Sequence, residues 1–182
     1  FESVILDPDG NRVECVYRKE ETSNEPDAPI ETERLLLRPF RESDAEAFFK
    51  CCQNPNIGNN AGWKPHGSLE ESQEILRSVF ISQSGIWAII LKEDGRLIGS
   101  VGIIPDPKRE NPQARMLGYW LDESHWGKGY MTEAVQSVLD YGFSTLQLSL
   151  ITANCYPHNE RSQQLLKRHG FIYEGTLHQA EL

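Results

Sequence analysis

A chain of 182 residues with 38% hydrophobic side chains fits one globular domain with a real core and at most a small appendage. Its net charge of −9, from 18 basic and 27 acidic residues, argues against a nucleic-acid partner, and no apolar run approaches the ~20 residues of a membrane span. Cys15, Cys51, Cys52 and Cys155 have neither C-x-x-C nor Cys/His ligand spacing, so free thiols in a reducing cytosol are expected and no metal centre. No secretory leader is recognisable, and an opening Phe1 implies a processed or excised chain.

Residues 1–20 read as a hairpin, with Val4-Ile5-Leu6 as one arm, Asp7-Pro8-Asp9-Gly10 as the turn and Val13 to Tyr17 as the other arm. Residues 21–29 belong to an acidic, proline-bearing stretch from Glu20 to Pro29 and read as a linker; the main domain, residues 30–182, starts near Ile30. Leu35-Leu36-Leu37 predicts a strand ended by Pro39. Ser43-Asp44-Ala45-Glu46 reads as a capping box opening a helix to about Gln53, with Cys51 and Cys52 on different faces. Asn54 to Gly67, rich in Asn, Gly and Pro, reads as a loop. Ser68-Leu69-Glu70-Glu71 is a second capping box, before a helix with Leu69, Ile75, Leu76, Val79 and Phe80 on one side.

Ile86 to Leu91 and Leu97 to Ile104 form a hairpin around Glu93-Asp94-Gly95-Arg96. A polar loop from Pro105 to Pro112 precedes a third strand, Ala114 to Leu121. After a glycine-rich turn, Met131, Ala134, Val135, Val138 and Leu139 mark a helix that runs to Phe143. Leu148 to Asn154 is the next strand. Asn159 to His169 is a helix closed by Gly170, and Phe171 onward is a last strand. This order predicts an α/β (α+β) fold, a mixed and mostly antiparallel sheet flanked by helices.

Trp126-Gly127-Lys128-Gly129-Tyr130-Met131-Thr132-Glu133-Ala134 joins that third strand to the long helix. A glycine-rich turn there gathers backbone N–H groups at the positive end of a helix dipole, an arrangement that binds phosphate. Taken alone, Gly127 and Gly129 equally suit a plain tight turn. A Walker A loop fails, because Asp122 holds the first glycine's place and Gly129 follows Lys128. A dinucleotide fingerprint is weak, because Thr132 replaces the third glycine and hairpins precede it. The third reading is a coenzyme A pyrophosphate site.

At this point the chain resembles the GNAT N-acetyltransferases, and within them the branch of the bacterial ribosomal-protein N-terminal (alanine/serine) acetyltransferases. The resemblance runs from about Glu33 to Glu181. It rests on Thr32-Glu33-Arg34-Leu35-Leu36-Leu37-Arg38-Pro39, Leu97-Ile98-Gly99-Ser100-Val101-Gly102, Gly118-Tyr119-Trp120-Leu121, the Trp126 to Ala134 stretch, Asn159-Glu160-Arg161-Ser162, and Lys167-Arg168-His169-Gly170-Phe171 with Glu174-Gly175. One departure is Ser124, where the family carries Gln or Arg.

The resemblance implies direct attack of a primary amine on acetyl-CoA in a ternary complex, without a metal. It implies a sheet splayed between two central strands, here Met116 to Leu121 and Leu148 to Asn154, with the pantetheine arm in the gap and a bulge opening it. Trp126, Gly127, Lys128, Gly129, Tyr130, Met131 and Thr132 are then expected to hold the pyrophosphate, and backbone groups near Leu121 and Asn154 the arm. Asn159 is expected on the pantetheine or phosphate side, and is equally a good N-cap. Ser162 is expected near the sulfur as proton donor to the thiolate, although it is also an ordinary first-turn residue. Cys155 matches a position next to the thioester. Glu181, in His178-Gln179-Ala180-Glu181, is the candidate base; with an unperturbed pKa near ~4.3 it needs burial or a bound water. Tyr119, Trp120 and Trp126 are read as packing residues, and Trp63 as lining a substrate pocket.

The expected acceptor is a protein or peptide N-terminus. A small-molecule amine (polyamine, amino acid, antibiotic) and a non-catalytic acyl-CoA-binding module stay open. The family's sheet ends in a hairpin whose second strand does not follow Leu182, while Phe1-Glu2-Ser3-Val4-Ile5-Leu6 resembles it. A tandem fragment, a permuted chain closing its sheet in cis or by strand exchange in a homodimer, and a chance likeness on a truncated chain are the three explanations.

Overall fold

The computed structural model describes residues 3–6, 12–15 and 28–176. Ser3–Leu6 (β1) and Arg12–Cys15 (β2) pair antiparallel, Ser3 opposite Cys15, in a two-stranded sheet of their own. The turn between these arms, most of the expected linker and residues 177–182, Glu181 among them, lie outside the described residues.

The main sheet has the order β3-β4-β5-β6-β7-β8: Ile30–Glu31, Leu35–Pro39, Ile86–Leu91, Leu97–Pro105, Ala114–Leu121 and Leu150–Ala153. Neighbours pair antiparallel except β7 and β8, which are parallel. Successive hairpins produce the antiparallel part. Between β7 and β8 the chain crosses over through a helix, Tyr130–Ser144, which returns it to the same end of the sheet, as a parallel pair requires.

Both faces of the sheet are covered, and the period of two distributes the side chains between them. Leu35, Leu37, Trp87, Ile89 and Leu91 bury on one face with Val135 and Val138 of the crossover helix and Leu165 of the last helix. Leu36, Ile86, Ala88 and Ile90 face the other way, against Phe48, Ile57 and Leu76. Pairing shifts where Ile89 faces Gly99 but Ile90 faces Leu97, so Ile98 is the extra residue of a bulge. That is why Ile98 and Val101, three apart, bury on the same face. The bulge expected beside β7 is not there: β6 and β7 keep an unbroken register from Gly99–Leu121 to Pro105–Arg115.

Three helices cover the second face: α1 (Ala45–Cys52), α2 (Pro55–Ala61) and α3 (Leu69–Ile75), the last continuing into a π-helical turn, Leu76–Ile81. Ser43 does not cap α1. A 3-10 turn, Glu42–Asp44, precedes it and holds Ser43 within it, and the buried Asp44 accepts from the Arg41 N–H and from the Arg38 guanidinium at 2.7 and 2.8 Å. Cys51 and Cys52, adjacent on α1, both point into packed surroundings. The helix lies between the sheet and α3, so both are buried in one cluster as free thiols, and burial pushes Cys51 up to about 12.

The stretch read as a loop contains α2. Asn54 caps it by accepting from the Asn56 N–H at 2.9 Å, Pro55 opens it, and Gly62 ends it in the left-handed region. These signals stand in the sequence, but three Asn and a Gly inside a helix hide them. Ser68 does cap α3, with Glu71 reaching back to the Gly67 N–H instead of that of Ser68. The crossover helix is α4 and Glu160–Arg168 is α5, with Gly170 left-handed after it. The last strand does not form over Phe171–Thr176: no described strand pairs with the segment, and a strand without a ladder partner has no hydrogen bonds to hold it, so Ile172 and Tyr173 stay exposed.

His66 gives the fold a pH dependence. It is buried, its Nδ1 is 2.7 Å from Ser72 Oγ and its ring packs on Phe48. Burial lowers its pKa from the ordinary 6.5, with Glu71 opposing, and burial lowers that of His169 in the same way. The unfolded chain therefore binds these protons first on acidification. Stability should fall as pH drops below ~6.5, before the carboxylates titrate, and this slope should shrink in His66→Gln, as read by thermal unfolding at a series of pH values.

Candidate functional site

The β7–β8 ladder ends at Leu117–Ala153, whereas β7 stays paired with β6 as far as Leu121. Gly118 to Leu121 thus have a partner on one edge only, and the sheet is splayed there. A cavity of about 570 Å³ opens at this parting. Tyr119 and Leu121 line it from the α4–α5 face, and Trp120, with Ile57, Asn60 and Ala61 of α2, from the opposite face. One hollow therefore reaches both sides of the sheet.

The end of the cavity toward α4 is built from the glycine turn. Gly127 and Gly129 have φ of 76° and 81°, a region in which an L side chain is strained, so glycine at both positions is required by the turn itself. Gly129 is the N-cap of α4, and the first backbone bond of the helix runs from Glu133 N–H to Gly129 C=O. The N–H groups of Tyr130, Met131 and Thr132 have no intrahelical acceptor, and all three residues line the cavity with Gly127 and Gly129. Arg161 and Arg168, seven apart on α5, add positive charge. Arg161 lies over the Trp126 ring at 4.4 Å. These orphan donors and local cations fit a pyrophosphate despite the chain's overall negative charge.

The turn is tied to the opposite side of the domain. Glu133 accepts from the Thr32 hydroxyl at 2.6 Å, the Arg34 N–H at 2.8 Å and Arg34 Nε at 2.7 Å. Arg34 also donates to the Lys128 carbonyl at 3.0 Å and lies over the Tyr130 ring at 4.5 Å. Burial alone would raise Glu133, but these donors hold its carboxyl below the ordinary value. Below the turn, His125 is buried with Nδ1 2.7 Å from Asp122, and Glu123 accepts from Asn54 and Asn56 of α2. Ser124 turns its hydroxyl to Asp122, away from the cavity.

At the opposite wall, Asn159 is the N-cap of α5, accepting from the Ser162 N–H at 3.1 Å, and its Nδ2 donates to the Asn60 carbonyl at 3.2 Å. It both caps and lines. Ser162 is buried, with Oγ 2.6 Å from the Tyr119 hydroxyl, and burial pushes Tyr119 up to about 12.

Among the residues expected from the sequence, Leu121, Trp126, Gly127, Gly129, Tyr130, Met131, Thr132, Asn159 and Ser162 therefore meet around one cavity. Lys128 and Asn154 are off its wall: Lys128 is exposed, and Asn154 directs its amide to Met116 Sδ. The Leu121 carbonyl accepts from the Trp126 indole at 2.8 Å. Trp63 packs edge-on against Trp120 behind the wall. Sequence reasoning missed Tyr119, which looked like a packing residue, and the Arg161/Arg168 pair. The seven-residue spacing from Arg161 to Arg168 was the readable signal, since it puts both on one face of a helix that carries Ser162.

Residues 34–172 match the family described as the acetyltransferase (GNAT) domain. A probable N-acetyltransferase of Bacillus subtilis (strain 168) is 43% identical over 151 residues, which is 78% of this chain and 82% of that protein. A ribosomal-protein-serine acetyltransferase of Escherichia coli (strain K12) is 30% identical over 158 residues, 82% and 86% of the two chains. Among solved structures, a ribosomal alpha-N-protein acetyltransferase in complex with coenzyme A, in which the coenzyme forms a disulfide with a cysteine, is similar in fold. Its TM-score is 0.72 over 85% of this chain and 89% of that one, at 24% identity.

Replacing Glu133 by Ala removes the acceptor of the Arg34 N–H, Arg34 Nε and the Thr32 hydroxyl. The expected loss is about 1–3 kcal/mol in chemical denaturation at neutral pH, the range for charged hydrogen bonds, with partly exposed Arg34 favouring the low end. Because the Glu133 pKa is depressed, that contribution is present above ~4.3 and lost as pH falls through its folded value, so variant and parent should converge in strong acid.

Proposed function

This chain belongs to the GNAT acetyltransferase family, and we propose that it acetylates the N-terminal amine of a protein or peptide by direct transfer from acetyl-CoA. The observation that carries this reading is the cavity at the β7–β8 parting, with orphan amides and arginines at its α4 end and a buried hydroxyl pair inside. The name of the Escherichia coli relative, a ribosomal-protein-serine acetyltransferase, supports a protein acceptor. The free thiols of Cys51, Cys52 and Cys155 fit a cytosolic setting.

In this reading the backbone N–H groups from Gly127 to Thr132 and the two arginines hold the pyrophosphate, each donor near the helix end contributing on the order of 1 kcal/mol per charge. The thioester lies beside the hydrogen-bonded Tyr119–Ser162 pair, and the acceptor amine comes from the α2 side, past Asn60 and Trp120. The amine must be neutral to attack, and Glu181 takes its proton, directly or through water. Nitrogen bonds to the acetyl carbon, the C–S bond breaks with its electron pair on sulfur, and Ser162 is the hydrogen-bond donor to the departing thiolate.

Thiol release from acetyl-CoA, measured over a panel of N-terminal peptides, polyamines, amino acids and aminoglycosides, tests this. Turnover confined to peptides is expected. Turnover only on a small amine would change the acceptor class, and coenzyme A binding with no turnover would make the chain a binding module. In Glu181→Gln, kcat should fall and the acid limb of the pH–rate profile should move, with coenzyme A affinity retained; an unchanged profile would remove Glu181 from the mechanism.

Cys155 is exposed just beyond β8, the strand that parts from β7. If the sulfur lies where proposed, mild oxidation with coenzyme A should yield a mixed disulfide at Cys155, as in the CoA-bound neighbour. Intact mass should rise by one coenzyme per chain, and Cys155→Ser should not react.

A further inference from the structure

Tyr119 and Ser162 meet across the parting of the sheet, one from the unpaired end of β7 and the other from the first turn of α5. Their oxygens are 2.6 Å apart and both residues line the cavity. Ser162 is 8% exposed, which leaves its hydroxyl few alternative partners. Each hydroxyl has one proton, so the pair has two arrangements. A phenol is a far stronger acid than an aliphatic alcohol, which favours Tyr119 as donor and Ser162 as acceptor. The Ser162 proton is then uncommitted within the pair and turns away from Tyr119, into the cavity. In the reverse arrangement Ser162 would spend its only proton on Tyr119.

We propose that Tyr119 is a positioning residue, which by donating to Ser162 Oγ aims the Ser162 proton at the sulfur of bound coenzyme A. The assignment rests on the acetyl-transfer reading for its role in turnover, but not for its effect on the bound thiol. During transfer the C–S electron pair goes to sulfur, the acceptor amine's proton goes to base, and neither hydroxyl ionises: the sulfur leaves as a thiolate hydrogen-bonded by Ser162. Burial supports this division of labour. Tyr119 is pushed up to about 12, whereas an ordinary thiol ionises near ~8.5, so a thiolate beside this pair does not strip the phenol of its proton. Tyr119 keeps its proton and its orientation throughout.

Two measurements on wild type, Tyr119→Phe, Ser162→Ala and the double variant test it. The first is titration of the thiol of bound coenzyme A by its ultraviolet absorbance. The thiol should ionise at lower pH when bound than when free; this shift should vanish in Ser162→Ala and fall by at least half in Tyr119→Phe, while affinity for the protonated thiol stays within about twofold, since Phe keeps the ring in the core. The second is steady-state turnover. Tyr119→Phe should lower kcat by ~10-fold, the scale of one well-directed hydrogen bond, with KM for acetyl-CoA nearly unchanged, and the double variant should be no slower than Ser162→Ala. A Tyr119→Phe protein that titrates bound thiol like wild type, or whose losses add to those of Ser162→Ala, would overturn the assignment. If the thiol shift depends on both residues but wild type acetylates no amine, the Tyr119–Ser162 relation stands and the acetyl-transfer reading falls.

Discussion

Strand β7 has to satisfy two neighbours that cannot both follow it. The antiparallel ladder with β6 continues to Leu121, and the parallel ladder with β8 stops at Leu117. A strand edge without a partner is a structural cost, since buried backbone groups need hydrogen bonds. Here the parting is stabilised from outside the sheet. The Trp126 indole serves the Leu121 carbonyl, and Tyr119 finds Ser162 on α5. The hollow at the parting is therefore framed by groups that have their own reasons to stay apart. This is the preorganisation that a site for an extended ligand arm requires.

The same parting reconciles the chain's charge with an anionic ligand. A net −9 repels phosphate at long range, but screening limits that field to about 10 Å at ordinary salt, whereas the amides of the α4 turn and the two α5 arginines act at contact distance. Glu133 sits at that positive helix end without spoiling it. Its carboxylate is consumed by Thr32 and Arg34 on the side facing β4, so the salt bridge neutralises it. The acidic residue that looks misplaced beside the turn proposed to hold phosphate is the tether of that turn.

Much of this was legible in the sequence because the signals are local. The short apolar runs of β4 to β6, the helical spacing from Met131 to Leu139 and the Gly127/Gly129 pair each report a property of a few neighbouring residues. They give the sheet, the crossover helix and the binding turn. The misreadings have one physical source. Ser43 reads as a cap, but the chain enters α1 through a 3-10 turn whose Asp44 is held by Arg38, a residue on the preceding strand. Asn54-Pro55 is a helix start, but Gly58 and three Asn weaken the propensity, and α2 forms because Ile57 buries in the cluster between α1 and the sheet. Tyr119 reads as core until α5 brings a hydroxyl to it. In each case tertiary contact decided between local options of similar energy.

The joint at Glu133 also bears on how the binding turn comes into being. Its bonds to Thr32 and Arg34 span 99 to 101 residues of chain, and the Arg34 bond to Lys128 spans 94. A turn held by such distant residues gains nothing from local propensity until the loop between them has closed, and loops of that length are slow to close. During synthesis β4 leaves the ribosome long before its partner helix exists. The turn can thus be held only once β4 and α4 have met. Capacity to hold a ligand should therefore appear last in refolding and be lost first under mild denaturant, an all-or-none property of the closed domain.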